Sequence, residues 1–199
     1  MKRVWRLAVV VGLGSVLALT EPAQSATAQF IGRVVVQWVD GEKGADRAMV
    51  LMEPFGFRDA DGRAWMVPKG TKIDGASIPR AFWTVVGSPF TGDYRRASVV
   101  HDHYCVTKER PWQAVHRMFY DAVLAGGVPE AQAKVLYAAV YGGGPRWAPI
   151  AGAEPGQDQF ITVTPDLSEE EMRQLAQWIQ EEDPDLASVE RKVQEVVTQ

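Results

Sequence analysis

The chain has 199 residues, 46% of them hydrophobic, with a formal net charge of −4, three histidines and one cysteine. That length supports one domain with a sizeable core plus an appendage, and a single cysteine excludes an internal disulfide. The charge excludes the basic stripe of a nucleic-acid-binding surface, because residues 165–199 carry ten acidic and three basic residues, net −7, and residues 29–164 only about +1.

Residues 1–28 read as a secretory signal. Lys2, Arg3 and Arg6 form the basic start, residues 7–19 an apolar stretch too short to span a bilayer, and Ala26-Thr27-Ala28 a small-x-small cleavage pattern. The expectation is a periplasmic or secreted protein beginning at Gln29, without a transmembrane anchor.

Residues 30–39 are β-branched and aromatic and end at the turn dipeptide Asp40-Gly41, which predicts a strand. Residues 47–57 and 64–67 predict two more, joined around Asp59-Ala60-Asp61-Gly62 into a small antiparallel sheet. Asp59 and Asp61 lack the remaining ligands and closing Glu of a calcium loop, so this stretch reads as a turn. Val67-Pro68-Lys69-Gly70 then turns into Asp74-Gly75-Ala76-Ser77-Ile78-Pro79-Arg80, where Gly75 and Ser77 let the backbone approach a ligand and Pro79 opens a short helix.

Three helices follow. Residues 94–106, with Asp93 as N-cap, place Ala97, Val100 and Tyr104 on one face and His101 beside Cys105 at i+4. Pro111 opens residues 112–124, where His116 borders the stripe of Val115, Met118, Phe119 and Ala122; Pro129 opens the third helix, through Tyr141. Short connections favour antiparallel neighbours and bring His101 opposite His116. All three histidines and Cys105 fall within sixteen positions, and imidazole next to the Asp102 carboxylate is raw material for general-base and metal chemistry. Cys105 itself reads as a small buried apolar residue, and the bland alternative for Asp102 is an ion pair with Arg95, Arg96 or Arg117.

Residues 148–164 read as a linker. Ser168 and Glu171 form a capping box opening a helix over residues 169–182, and residues 186–197 form a second, shorter one. The expected organisation is a signal at 1–28, an α+β core at 29–147 made of a small sheet followed by three helices, the linker, and a separable acidic helical tail at 165–199 that docks a protein partner or aids solubility.

VPKGTKIDGASIPRAFW, the segment His101-Asp102-His103-Tyr104-Cys105 and the Trp112-x-x-x-His116-x-x-Phe119 helix together resemble the phage and bacterial domain-of-unknown-function family 1353, over residues 52–147. That resemblance implies a shared fold and names no activity. A weaker one, to small secreted phospholipases A2, rests on the order Asp74-Gly75-x-Ser77, then His101-Asp102 on a helix, then a second helix. It implies Asp102 as a calcium ligand with Asp74 as a second, and His101 as general base. The position that orients the base falls on His116, where those enzymes carry Asp, and a neutral imidazole cannot stabilise an imidazolium as a carboxylate does.

The residues alone offer a different set: His101 and His116 with a carboxylate from Asp102 or Asp74, leaving an open position, suit zinc or another transition metal. Two functions stand at this point. One is a metal-dependent hydrolase of an ester or amide, with zinc or calcium, a lipid or cell-wall substrate and His101 as base or ligand. The other is a non-catalytic binding or structural module of phage origin.

Overall fold

The computed structural model describes residues 27–39, 49–73, 78, 82–86, 92–154 and 156–198. The signal ahead of Thr27, the Asp40-Gly41 turn, and Asp74, Gly75, Ser77, Pro79 and Arg80 lie outside the described residues.

The N-terminal strands are shorter than their sequence pattern predicts. Residues 30–39 split into β1 (Gln29–Ile31) and β2 (Val36–Trp38), and the described part of the second predicted strand into β3 (Met49–Leu51) and β4 (Phe55–Arg58). β5 (Ala64–Val67) and β6 (Lys72–Ile73) complete two three-stranded antiparallel sheets, ordered β1-β4-β5 and β2-β3-β6. The register shows why there are two. Gln29 pairs with Arg58 and Trp38 with Met49, so the same pairing runs through both halves without an inserted residue. Likewise Phe55 opposes Val67 while Met49 opposes Ile73.

The sheets are therefore one three-stranded meander creased across its middle. Gly32, at φ 80°, sits at the crease, where a Cβ would come 3.0 Å from the Pro54 carbonyl. Pro54 lacks the N–H that would continue the ladder, and Met52 N donating to Val35 O at 2.8 Å bridges the gap. Asp59 does form a turn: it accepts from Arg63 N at 2.8 Å and from Trp65 Nε1 at 2.9 Å, closing the β4–β5 hairpin.

One face of the meander buries Leu51, Phe55, Phe57, Trp65 and Val67 against the helices. After the short α1 (Trp83–Val86) come α2 (Arg95–Thr107), α3 (Trp112–Ala125) and α4 (Glu130–Gly143), packed in sequence order. Tyr94, not Asp93, is the N-cap of α2 and makes no side-chain cap bond. Its ring is buried in the core, with the hydroxyl donating to Val86 O at 3.3 Å, so tertiary packing overrides the capping preference of Asp. At the other end Tyr104 reaches β5, its hydroxyl accepting from Met66 N at 3.1 Å.

The linker and separable tail expected from composition are instead part of this core. Residues 148–164 contribute to a hairpin of β7 (Arg146–Pro149) with β8 (Phe160–Val163). α5 (Glu169–Glu182), with the Ser168–Glu171 capping box in place, and α6 (Leu186–Val197) both pack on α4. Met172, Leu175, Ile179, Val189 and Val193 join the same buried cluster as the strands. Polar clamps reinforce the join: Lys134 Nζ lies 2.7 Å from Asp183 and 3.0 Å from Glu130, and Tyr137 donates to Glu190 at 2.7 Å. An apolar stripe on a charged helix is there because it faces something, and here it faces α4. The architecture is α+β, as expected, and no described helix is long and apolar enough to cross a membrane.

Candidate metal centre

The Lys108 backbone, at φ 56° and donating to Tyr104 O, ends α2, and Pro111 starts α3. This tight reversal lays α3 against α2 and sets His101 and His116 face to face. His101 Nε2 stands 2.8 Å from His116 Nδ1, and Cys105, one turn beyond His101, places its Sγ at 3.7 and 3.8 Å from the two nitrogens of His101. The thiol is nearly equidistant from the two nitrogens and, as a weak hydrogen-bonding group, holds the ring only loosely. One donor atom from each of His101, Cys105 and His116 falls within 4.8 Å of the other two.

The cluster is closed. His101 is 1% exposed, His116 0% and Cys105 7%, beneath Phe119, Trp112 and Trp147. At Gly144 a Cβ would meet His116 Cε1 at 3.2 Å and the Val140 carbonyl at 2.3 Å, so the absence of a side chain there lets the α4 terminus close over the ring.

Both imidazoles are held neutral. Desolvation, then the neighbouring His116, push His101 well below its ordinary range. Desolvation takes His116 down to about 3, with the Pro145 carbonyl opposing and the Arg146 guanidinium adding to the drop. Neutral imidazole is the form that ligates metals. Two neutral rings at 2.8 Å share one proton between facing nitrogens, and which ring donates follows from the tautomers. His116 Nε2, on the far side of the ring, is buried without a hydrogen bond of good geometry. A His116 ligating through Nδ1 carries its proton on that Nε2, with the Pro145 carbonyl as the nearby acceptor that an outer shell needs.

Two of the three separations can be set against those of a tetrahedral ion. Zinc ligands at the usual bond lengths stand roughly 3.3 Å apart for two nitrogens and roughly 3.5 Å for nitrogen and sulfur. The 3.7 Å Sγ–Nε2 distance is close to this, and the 2.8 Å Nε2–Nδ1 distance needs the rings to part by about half an ångström.

The other residues singled out by sequence stand elsewhere. Asp102 is buried, but one residue along a helix is a rotation of about 100°; it faces a cleft on the sheet side of α2 and is not among the clustered donors. Asp74 lies outside the described residues. His116 does occupy the position beside His101 that the phospholipase-like pattern assigns to an orienting group. His103 packs edge-on against Tyr104, and burial lowers its pKa, with Glu109 opposing. Cys105, read from sequence as packing only, is the third member of the cluster; its i+4 spacing from His101 was the available signal.

Residues 49–140 match the family described as "Protein of unknown function (DUF1353)". Uncharacterized protein y4jT of Sinorhizobium fredii is 39% identical over 150 residues, covering 73% of this chain and 42% of the relative. Uncharacterized protein y4iH of the same organism is 46% identical over 105 residues, covering 53% of this chain and 44% of the relative. The chain thus spans less than half the length of these curated relatives. No solved structure matches at a significant level.

Proposed function

We propose that this chain, a member of the DUF1353 family by its match over residues 49–140, is a transition-metal-binding module. His101, Cys105 and His116 are its ligands. The observation that carries this reading is the convergence of two neutral imidazoles and a thiol within 4.8 Å inside an apolar core. Nitrogen and sulfur donors select zinc-class ions over calcium, which requires about six to eight oxygens. Cys105 would ligate as thiolate, releasing a proton on binding.

The same features favour the binding module over a hydrolase. A general base works best with a pKa near the operating pH and within reach of its substrate. His101 is 1% exposed and its proton affinity is strongly depressed. A metal held here by three protein donors would tie α2 to α3, so that its binding energy would also be folding energy.

The test is titration of the full chain with cobalt and with zinc. One equivalent of cobalt is expected to give thiolate charge-transfer absorption that Cys105→Ser removes. Zinc affinity in calorimetry should fall in His116→Ala by more than the roughly 10–100-fold that losing an outer-shell partner costs. Asp102→Asn should leave both signals in place. Equal zinc binding by wild type, Cys105→Ser and His116→Ala would end the proposal.

A further inference from the structure

On the face of α2 opposite the histidine pair lies a cleft of about 520 Å³, between this helix and the β2-β3-β6 half of the meander. That is the size of a small-molecule site. Its chemistry is divided. Val36, Met49, Ile73 and Val99 give it an apolar wall, with Trp38 alongside. Arg33, Arg95 and Arg96 line it as well. Two of these arginines occupy the first turn of α2, a turn without any acidic residue, where a positive side chain opposes the helix dipole. Their position there costs helix stability and places cationic side chains beside an apolar trough.

We propose that this cleft binds an amphiphile with a single anionic carboxylate head and an unbranched apolar tail, the chemistry of a fatty acid. The guanidiniums of Arg95 and Arg96 take the carboxylate, which a planar fork matches in two parallel hydrogen bonds. The tail lies along Val36, Met49, Ile73 and Val99. A single negative charge suits this mixed lining: Arg33 is shared with Glu53 at 3.9 Å, and the Asp102 carboxylate already lies along the cleft. Arg96 is steadied over the Phe30 ring, 4.3 Å from its centroid, so its planar group is already oriented. Trp38, 60% exposed, is a large apolar side chain left in solvent at the cleft, and a bound tail covers it. This inference is independent of a metal at the histidine cluster, which lies on the other side of the helix.

The experiment uses the full chain with laurate below its micellar concentration, dodecyltrimethylammonium as the same tail with the opposite charge, and acetate as the head without a tail. Laurate should bind one to one, at least about tenfold more tightly than dodecyltrimethylammonium, and acetate at high concentration should not displace it. The double substitution Arg95→Gln with Arg96→Gln should weaken laurate by at least about tenfold. Because that variant also removes the stacking on Phe30, Arg95→Gln alone is a second arm and should weaken laurate while leaving thermal unfolding unchanged. Trp38 fluorescence should shift to the blue on binding, a change absent in Trp38→Phe. Equal affinity for the two charged probes, displacement by acetate, or laurate binding that both arginine variants keep would each overturn the proposal.

Discussion

Two neighbouring residues of α2, His101 and Asp102, face two different places, and the contrast between those places is the main lesson of this molecule. On the α3 side, His101 enters a closed cluster of His116 and Cys105 under Phe119, Trp112 and Trp147. On the sheet side, Asp102 lines an open cleft with arginines and an apolar wall. A His-Asp dipeptide reads as one catalytic unit only if both side chains can meet at one point, and on a helix adjacent side chains as short as these diverge, unlike the long arms of Arg95 and Arg96. The i+4 partner of His101, Cys105, is the residue that shares its site. One side of the helix is dry, neutral and suited to a soft ion; the other is wet, cationic and suited to an amphiphile.

The two sides also depend on different supports, and the largest predicted effect breaks the molecule along that line. The cluster side rests on α3 and α4, and α4 is covered by α5 and α6. Deleting residues 165–199 strips away Leu167, Met172, Leu175, Ile179, Val189 and Val193, all buried. At about 1.5–3 kcal/mol for each buried side chain, the loss is comparable with the about 5–15 kcal/mol that holds a domain folded. The truncated chain should therefore lose cooperative thermal unfolding in calorimetry, and a sharp, reversible transition in the truncation would refute the integrated core.

The second effect separates the two sides by acid. His101 and His116 are neutral in the fold, His116 with a pKa near 3, while the unfolded chain takes up these protons near pH 6.5. The unfolded state binds more protons throughout that window. Stability from these groups is thus fully present above pH 6.5 and is lost as pH falls towards 3, by up to about 1.4 kcal/mol per unit for each histidine. Urea unfolding of the metal-free protein at pH 7 and pH 5 should show wild type losing about 2–4 kcal/mol more than His101→Gln/His116→Gln. His103→Gln should remove much less of that loss. If the double variant has the same acid slope as wild type, the cluster is not the proton-sensitive side.

How much of this was legible in the sequence follows from the range of each interaction. The α+β class, the Asp59 turn, the Ser168–Glu171 cap and the meeting of His101 with His116 rest on local pattern and short connections, and they stand. The crease in the meander was hidden because residues 30–39 look like one strand; only the approach of Gly32 to Pro54 across the ladder breaks it. The tail looked separable because a Pro/Gly-rich stretch and a net charge mark linkers, while the faces that bury α5 and α6 belong to α4. Cys105 reads as a packing residue because one cysteine ordinarily is one, and its neighbour His116 comes from another helix.

The smallest effect is also the most selective, because it touches the cluster without touching any ligand. Gly144 follows α4, donates to Val140 O, and has an ordinary extended backbone, so its need for glycine is one of space, not of dihedral angle. A Cβ there would lie 2.3 Å from the Val140 carbonyl and 3.2 Å from His116 Cε1. The carbonyl is backbone and cannot swing away, so the terminus of α4 must shift and press on the imidazole. Gly144→Ala should cost about 1–3 kcal/mol in urea unfolding, as overpacking does. It should also weaken zinc by displacing His116, while leaving laurate binding on the far face of α2 unchanged. If Gly144→Ala lowers both affinities together, the two faces of α2 are coupled through the helix and are not separate sites; if it lowers neither and stability holds, the α4 terminus does not close over His116.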